Sequence, residues 1–280
     1  MSRKGCLLPI DAIARASLFI NIVGLQIPKD SRAEPAPATK SEKSDKETRP
    51  MATPEQQKEI KKLIEQLGDK DFSIREKASA RFVEIGLPAL PQLRGALRIN
   101  EPEIRKRSQL AIDEIEKRNN FKTVNGVEFS VVTDKVWKIP KRGEQTKIKL
   151  GLSFSNRRNE KLNLYLFDTI WISLVSPKLG EMRIEGGRNG PGRQFPSRTL
   201  RPGEAFVHTY PDAKLSWVGQ DLRLVYVDRA PKEYYCIPKL SAGKHSLSFT
   251  YEQKWDIRPK DGSTPWKGGA TTYPVEVEIK

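Results

Sequence analysis

The sequence predicts a multidomain α plus β chain, with short α-hairpin repeats first and an antiparallel β-sandwich after them. Three observations lead there. Apolar residues recur at helical spacing between residues 55 and 118. From about residue 121 the period changes to alternation, in short runs rich in β-branched and aromatic residues. Residues 71–85 align without gaps on residues 101–115, so the helical part carries an internal repeat.

Residues 1–33 read as a signal peptide. "MSRK" is a basic start, "ASLFINIVGLQI" (16–27) an apolar run and "SRA" (31–33) a small-residue cleavage site. Export to the periplasm, cell envelope or exterior is the expected localisation; an uncleaved N-terminal membrane anchor, or a true start at Met51, are the alternatives. The chain has two cysteines, Cys6 and Cys236. Cleavage would leave Cys236 alone, without an internal disulfide. Residues 34–53 hold Pro, Ala, Ser, Thr and mixed charge with little to bury, and read as a disordered linker.

Four helices are expected over residues 54–118. Thr53, Pro54 and Gln56 make a helix start, with a capping hydroxyl, a proline at the first position and a glutamine at the third. Ile60, Leu63, Ile64 and Leu67 follow, and Gly68 ends the run. Ser73 with Glu76 reads as a second capping box, Pro88 as the start of a third helix, and Asn100 with Glu103 as the cap of a fourth. "DFSIREKASARFVEI" and "EPEIRKRSQLAIDEI" share Ile74/Ile104, Arg75/Arg105, Glu84/Glu114 and Ile85/Ile115, with an acid, Asp71 or Glu101, heading each copy. On the run Asp71, Arg75, Ala78, Phe82, Gly86, Ala89, Leu90, Pro91 and Leu93 this segment resembles HEAT-type repeats. That resemblance implies structural roles for Asp71, Arg75, Glu101 and Arg105, which would brace neighbouring helices, and a face that binds partners.

Strands are expected at 127–133, 146–155, 161–176 (with a break near Asp168), 181–186, 205–210, 222–227, 244–253 and 273–280, within a domain spanning 121–280. "LRPGE" (200–204) and "LSAGK" (240–244) each place a leucine three residues before a glycine, and "PWKGGATTYPVEVEIK" looks like a closing strand. These features resemble Ig-like or fibronectin-like accessory domains of exported bacterial proteins, a likeness of fold that implies no activity.

Net charge is +15, and residues 119–280 hold 27 Lys and Arg against 17 Asp and Glu. The excess would attract polyanions, or simply keep the chain soluble. Enzyme chemistry finds little support. The two histidines, His208 and His245, lie in expected strands and no G-x-S-x-G turn occurs. No Cys/His spacing suits zinc, and no cofactor is expected. A carboxylate pair assembled from distant strands leaves no sequence signature, so an enzyme with such a site stays a remote alternative. In "EGGRNGPGRQFPSRTLRPGE" (185–204), Arg193 and Gln194 stand where a phosphate-binding loop needs Lys and Ser/Thr, and no helix follows.

The candidate binding residues are Arg188, Arg193, Phe195 and Arg198 in that stretch, read either as a solvated connection or as an anion-facing patch. Trp255 and Trp266 flank a long connection, either as ligand platforms or, for Trp266, as a core plug, while Trp171 and Trp217 read as core. The expected function is non-enzymatic: a binding or scaffold protein engaging a protein or envelope polymer. A carbohydrate- or polyanion-binding module is the alternative, and nucleic acid is set aside because an exported protein seldom meets it.

Overall fold

The computed structural model describes residues 50–166, 169–182, 197–227, 234–253, 259 and 261–280. All of them belong to one contact unit, Lys43–Lys280. Helix α1 (Pro54–Gln66) starts on the capping box read from sequence, with Gln56 N donating to Thr53 Oγ1 (3.2 Å) and Thr53 N to Gln56 Oε1 (3.0 Å). In α2 (Phe72–Ile85) the cap is Asp71, which accepts from Ser73 N at 2.7 Å, so the expected Ser73–Glu76 box is displaced. A single 3-10 turn (Leu87–Ala89) leads into the short α3 (Leu90–Ala96). Glu101, not Asn100, precedes α4 (Pro102–Arg118) and makes no side-chain cap bond; Pro102 at the first position pre-sets the backbone instead.

The strands are β1 (Lys122–Val124), β2 (Val127–Thr133), β3 (Val136–Trp137), β4 (Gln145–Lys147), β5 (Leu150–Asn156) and β6 (Leu162–Tyr165). Next come β7 (Ile170–Ser176), β8 (Gly180–Met182), β9 (Ser197–Leu200), β10 (Ala205–Thr209), β11 (Lys214–Val218) and β12 (Asp221–Val227). The last are β13 (Tyr234–Leu240), β14 (Gly243–Gln253), β15 (Thr264–Pro265), β16 (Gly268–Thr271) and β17 (Val275–Ile279). They sort into four sheets ordered β1-β2-β5-β10, β13-β12-β11-β4, β3-β17-β14-β7-β8 with β16 on β14, and β15-β6-β9. The β1–β2 hairpin turns on Asn125 and Gly126, at φ 47° and 73°. That Asn-Gly pair suits a two-residue turn with positive φ at both positions.

The HEAT-type expectation is corrected. Among the described residues the helical part is four short helices of 13, 14, 7 and 17 residues around one core, not a repeat array. The heading acids are not equivalent, though the two arginines act alike. Asp71 caps a helix, whereas Glu101 lies over Gly68, where an added Cβ would meet its Oε1 at 2.6 Å. Arg75 donates to the carbonyls of Asp69 (2.7 Å) and Lys70 (3.0 Å) and pairs with Glu103; Arg105 donates to Ile99 O at 3.2 Å. The shared residues thus shape the turn before each helix. Such local similarity carries no information on how helices stack.

The Ig-like sandwich is corrected as well. The sheets are open, and two pairings, β6 with β15 and β3 with β17, are parallel. The fold is mixed α/β with open sheets. Alternation marks which face of a strand is buried but not its neighbours, and strands of two residues show no alternation at all.

Two cores result. Ile60, Phe82, Leu90, Leu93, Ile112 and Ile115 lead the helical one; Phe129, Trp137, Phe154, Tyr251, Trp266 and Val277 lead the other. Charged groups span the seam. Arg94 on α3 donates to Glu116 Oε1 on α4 (3.0 Å) and to Thr123 Oγ1 on β1 (2.8 Å), while Thr123 N donates to Glu116 Oε2 (3.1 Å). Arg157 Nε donates to Glu128 Oε2 at 2.7 Å. Both carboxylates are buried, Glu116 and Glu128 at 1% and 5% exposure. Nearby, Lys122 donates to Asp113 (2.6 Å) and to the Tyr273 hydroxyl (3.1 Å). Burial pulls the Lys122 pKa down, but these two bonds outweigh it and leave it raised.

Candidate functional site

The sheet β15-β6-β9 carries an open cleft of about 670 Å³ on its edge, lined by Lys161, Arg198, Thr199, Arg201, Glu204 and Asp261 among others. Its floor is pinned by a chain of polar bonds. Asn163 Nδ2 on β6 donates to Thr199 Oγ1 on β9 (3.0 Å), and Thr199 Oγ1 donates to Asp261 Oδ2 (2.8 Å). Asp261 Oδ1 accepts from both the hydroxyl and the N–H of Ser263, the second at 3.0 Å. An aspartate bonded to the backbone two residues on is a favoured local turn, and here it aims the loop before β15 at β9. The Ser263 hydroxyl, then the Thr199 hydroxyl and the Ser263 N–H, hold the Asp261 carboxyl down at about 2. Each of these donors favours the charged form.

The acids of the cleft are therefore engaged. Glu204 accepts from Arg198 Nη2 (3.2 Å) and from Arg201 N (2.9 Å), closing the turn whose Gly203 sits at φ 75°. The Arg198 guanidinium also lies 5.4 Å from the centre of the Phe206 ring. The Lys161 ammonium and the Arg201 guanidinium have no acid partner among the described residues. A second opening of about 430 Å³ is lined by Arg157, Arg158, Asn159 and Glu160. Arg158 pairs with Glu160 at 2.8 Å, and its stem crosses Gly126, where a Cβ would lie 2.5 Å from Arg158 Cγ. The cleft thus presents the Lys161 ammonium and the Arg201 guanidinium, which are able to receive sulfate, phosphate or carboxylate groups.

The sequence-read candidates scatter. Arg188, Arg193 and Phe195 lie outside the described residues, as do Trp255 and the expected break at Asp168. Arg198 is in the cleft. Of the two readings of Trp266, ligand platform and core plug, the structure has the core plug: it is 1% exposed, its ring 5.5 Å from Phe129 and 5.2 Å from Tyr251. Parallel pairing of β15 with β6 draws it inward, since Trp266 N donates to Asn163 O at 3.0 Å. Trp171 departs the other way, 38% exposed, because residues 170–176 alternate and it falls on the outer face. Trp217 is half-buried, its indole donating to Pro140 O (2.8 Å) under the Arg142 guanidinium (4.4 Å). Lys161 and Asp261 went unnoticed in the sequence. The one available signal was the Asp-x-Ser spacing of Asp261 and Ser263, since nothing local announces that residues 161, 201 and 261 meet. Both histidines are buried, and no group of three or more His, Cys, Asp or Glu able to hold a metal occurs among the described residues.

No protein-family model matches the chain, and no curated protein matches it. Among solved structures it is similar to the Pseudomonas fluorescens alkylpurine DNA glycosylase AlkC bound to DNA containing an abasic site analog, at 12% identity and a TM-score of 0.26. The match covers 82% of this chain, which spans 54% of that protein's length. A likeness this slight carries no argument about fold or function.

Proposed function

We propose that the chain is a non-catalytic binding module for an anionic polymer, an acidic polysaccharide of the cell envelope or exterior, and that the cleft beside Lys161 and Arg201 receives its acid groups. One observation supports this most directly. The two carboxylates of the cleft are consumed by their own hydrogen bonds, while Lys161 and Arg201 face it without an acid partner among the described residues. The charge excess of residues 119–280 adds a field that would speed encounter with such a polymer. The signal-like first 33 residues favour an exported setting over one with nucleic acid.

Retention on immobilised heparin tests the reading. The Lys161→Ser/Arg201→Ser double variant should elute at clearly lower salt than the parent. Lys61→Ser/Lys62→Ser, which removes the same charge from an exposed stretch of α1, should elute close to the parent. Equal shifts from both pairs would mean that net charge alone drives retention, and the cleft would lose its role.

A further inference from the structure

We infer that the cleft is selective for uronic acids: one sugar carboxylate bridges Lys161 and Arg201, and hydroxyls of the same sugar donate to Asp261 and Glu204. This names the ligand class of the site proposed above and rests on that reading. Strand register carries the inference. Between β6 and β9, Leu162 stands opposite Leu200 and Asn163 opposite Thr199. One step beyond the last pair of this antiparallel ladder, Lys161 falls opposite Arg201. Leu162 and Leu200 are both buried, so alternation turns Lys161 and Arg201 to the other face, where both are exposed and line the cleft. The backbone is tied down at each of them. The Lys161 carbonyl accepts from Thr264 N at 3.0 Å, and the Arg201 carbonyl from Glu204 N at 3.0 Å. Like charges directly opposite one another destabilise a sheet. Neither cation has an acid partner among the described residues, so the fold holds together a repelling pair that one anion would bridge.

The acids beside the pair decide which anion fits. Arg198 and Glu204 offset each other at 3.2 Å. Asp261 is exposed and bonded to neutral donors alone, and those donors keep it ionised at neutral pH by holding its carboxyl at about 2. Two unpaired cations against one unpaired carboxylate suit a single monoanion and disfavour a cluster of them. Spare lone pairs supply the rest of the recognition. A carboxylate has about four acceptor sites. Asp261 Oδ2 accepts only the Thr199 hydroxyl, and each Glu204 oxygen accepts one bond, so both acids retain room for hydroxyl donors. A uronic acid carries one carboxylate and free hydroxyls on the same ring. A sulfated sugar replaces hydroxyls by further anions, losing donors where Asp261 and Glu204 accept and adding charge that they repel.

The test is calorimetric titration of the full chain with polygalacturonate and with dextran sulfate of matched charge density. Physiological ionic strength, with a Debye length of about 8 Å, screens the general field of the chain. Polygalacturonate should bind about tenfold tighter, the effect of one hydrogen bond to a charged group. Lys161→Ser/Arg201→Ser should abolish that preference, and Asp261→Asn should narrow it by strengthening dextran sulfate binding. Lys61→Ser/Lys62→Ser should leave it unchanged. Uronate selectivity is overturned, with the anionic-polymer reading left standing, if dextran sulfate binds as tightly and both polymers are lost in the cleft double variant. It is overturned in the same way if Asp261→Asn leaves the preference intact. Binding at full strength in the double variant, or no binding of either polymer to the parent, would overturn both.

Discussion

Replacing Arg94 by methionine removes the cation that joins α3 to Glu116 and β1 while keeping most of the side chain's packing. Glu116 is 1% exposed and would retain a single donor, Thr123 N, and Thr123 Oγ1 would lose its partner at 2.8 Å. Breaking a buried ion pair costs about 3–5 kcal/mol because it strands the other charge. Arg94 itself is 31% exposed, so solvent screening moves the figure to the lower end, about 2–3 kcal/mol. Urea unfolding at pH 7 should show that loss with an unchanged slope. Glu116→Gln should cost a similar amount alone. The double variant should cost about 2 kcal/mol less than the two summed, because each change removes the group that the other strands. A loss under about 0.5 kcal/mol for Arg94→Met, or strict additivity in the cycle, would refute a role for this pair at the seam.

Three further outcomes follow from particular contacts. The Asp261 carboxyl is depressed from 3.8 to about 2, so its contribution is complete above the ordinary value and is lost as pH falls through about 2. Acid titration of unfolding should show this between those limits, and Asp261→Asn should flatten the curve there. At the alkaline end, burial keeps the Tyr273 hydroxyl protonated past its usual 10, and Lys122 holds its proton above 10.5 through Asp113 and Tyr273. Both contributions are present at neutral pH and are lost as pH rises above these values, so the melting temperature should fall beyond pH 10, less steeply in Lys122→Met. Finally, Gly151→Ala puts a Cβ 2.7 Å from the His208 carbonyl on the neighbouring strand, and should cost about 1–3 kcal/mol in urea by prising β10 from β5.

Much of the local structure was legible in the sequence. The Thr53–Gln56 cap and the strand at 127–133 both follow from short-range chemistry that the chain carries in adjacent residues. Where local signals competed, the reading slipped. Asp71 was a better cap than Ser73, because its carboxylate reaches a backbone N–H two residues on. Trp171 was misplaced because a mostly apolar run hides its own alternation until one face is known to be buried.

Composition, helical period and strand period by themselves determined that helices precede strands, and where the main periodic runs lie. These are properties of consecutive side chains. Only the tertiary structure decided that the strands form open sheets, that Trp266 is core while Trp171 is exposed, and that Lys161, Arg201 and Asp261 share one cleft. Each of those outcomes depends on which strand lies beside which. Pairing is settled by the summed packing and backbone hydrogen bonds of segments far apart in the chain, a quantity that no single stretch contains.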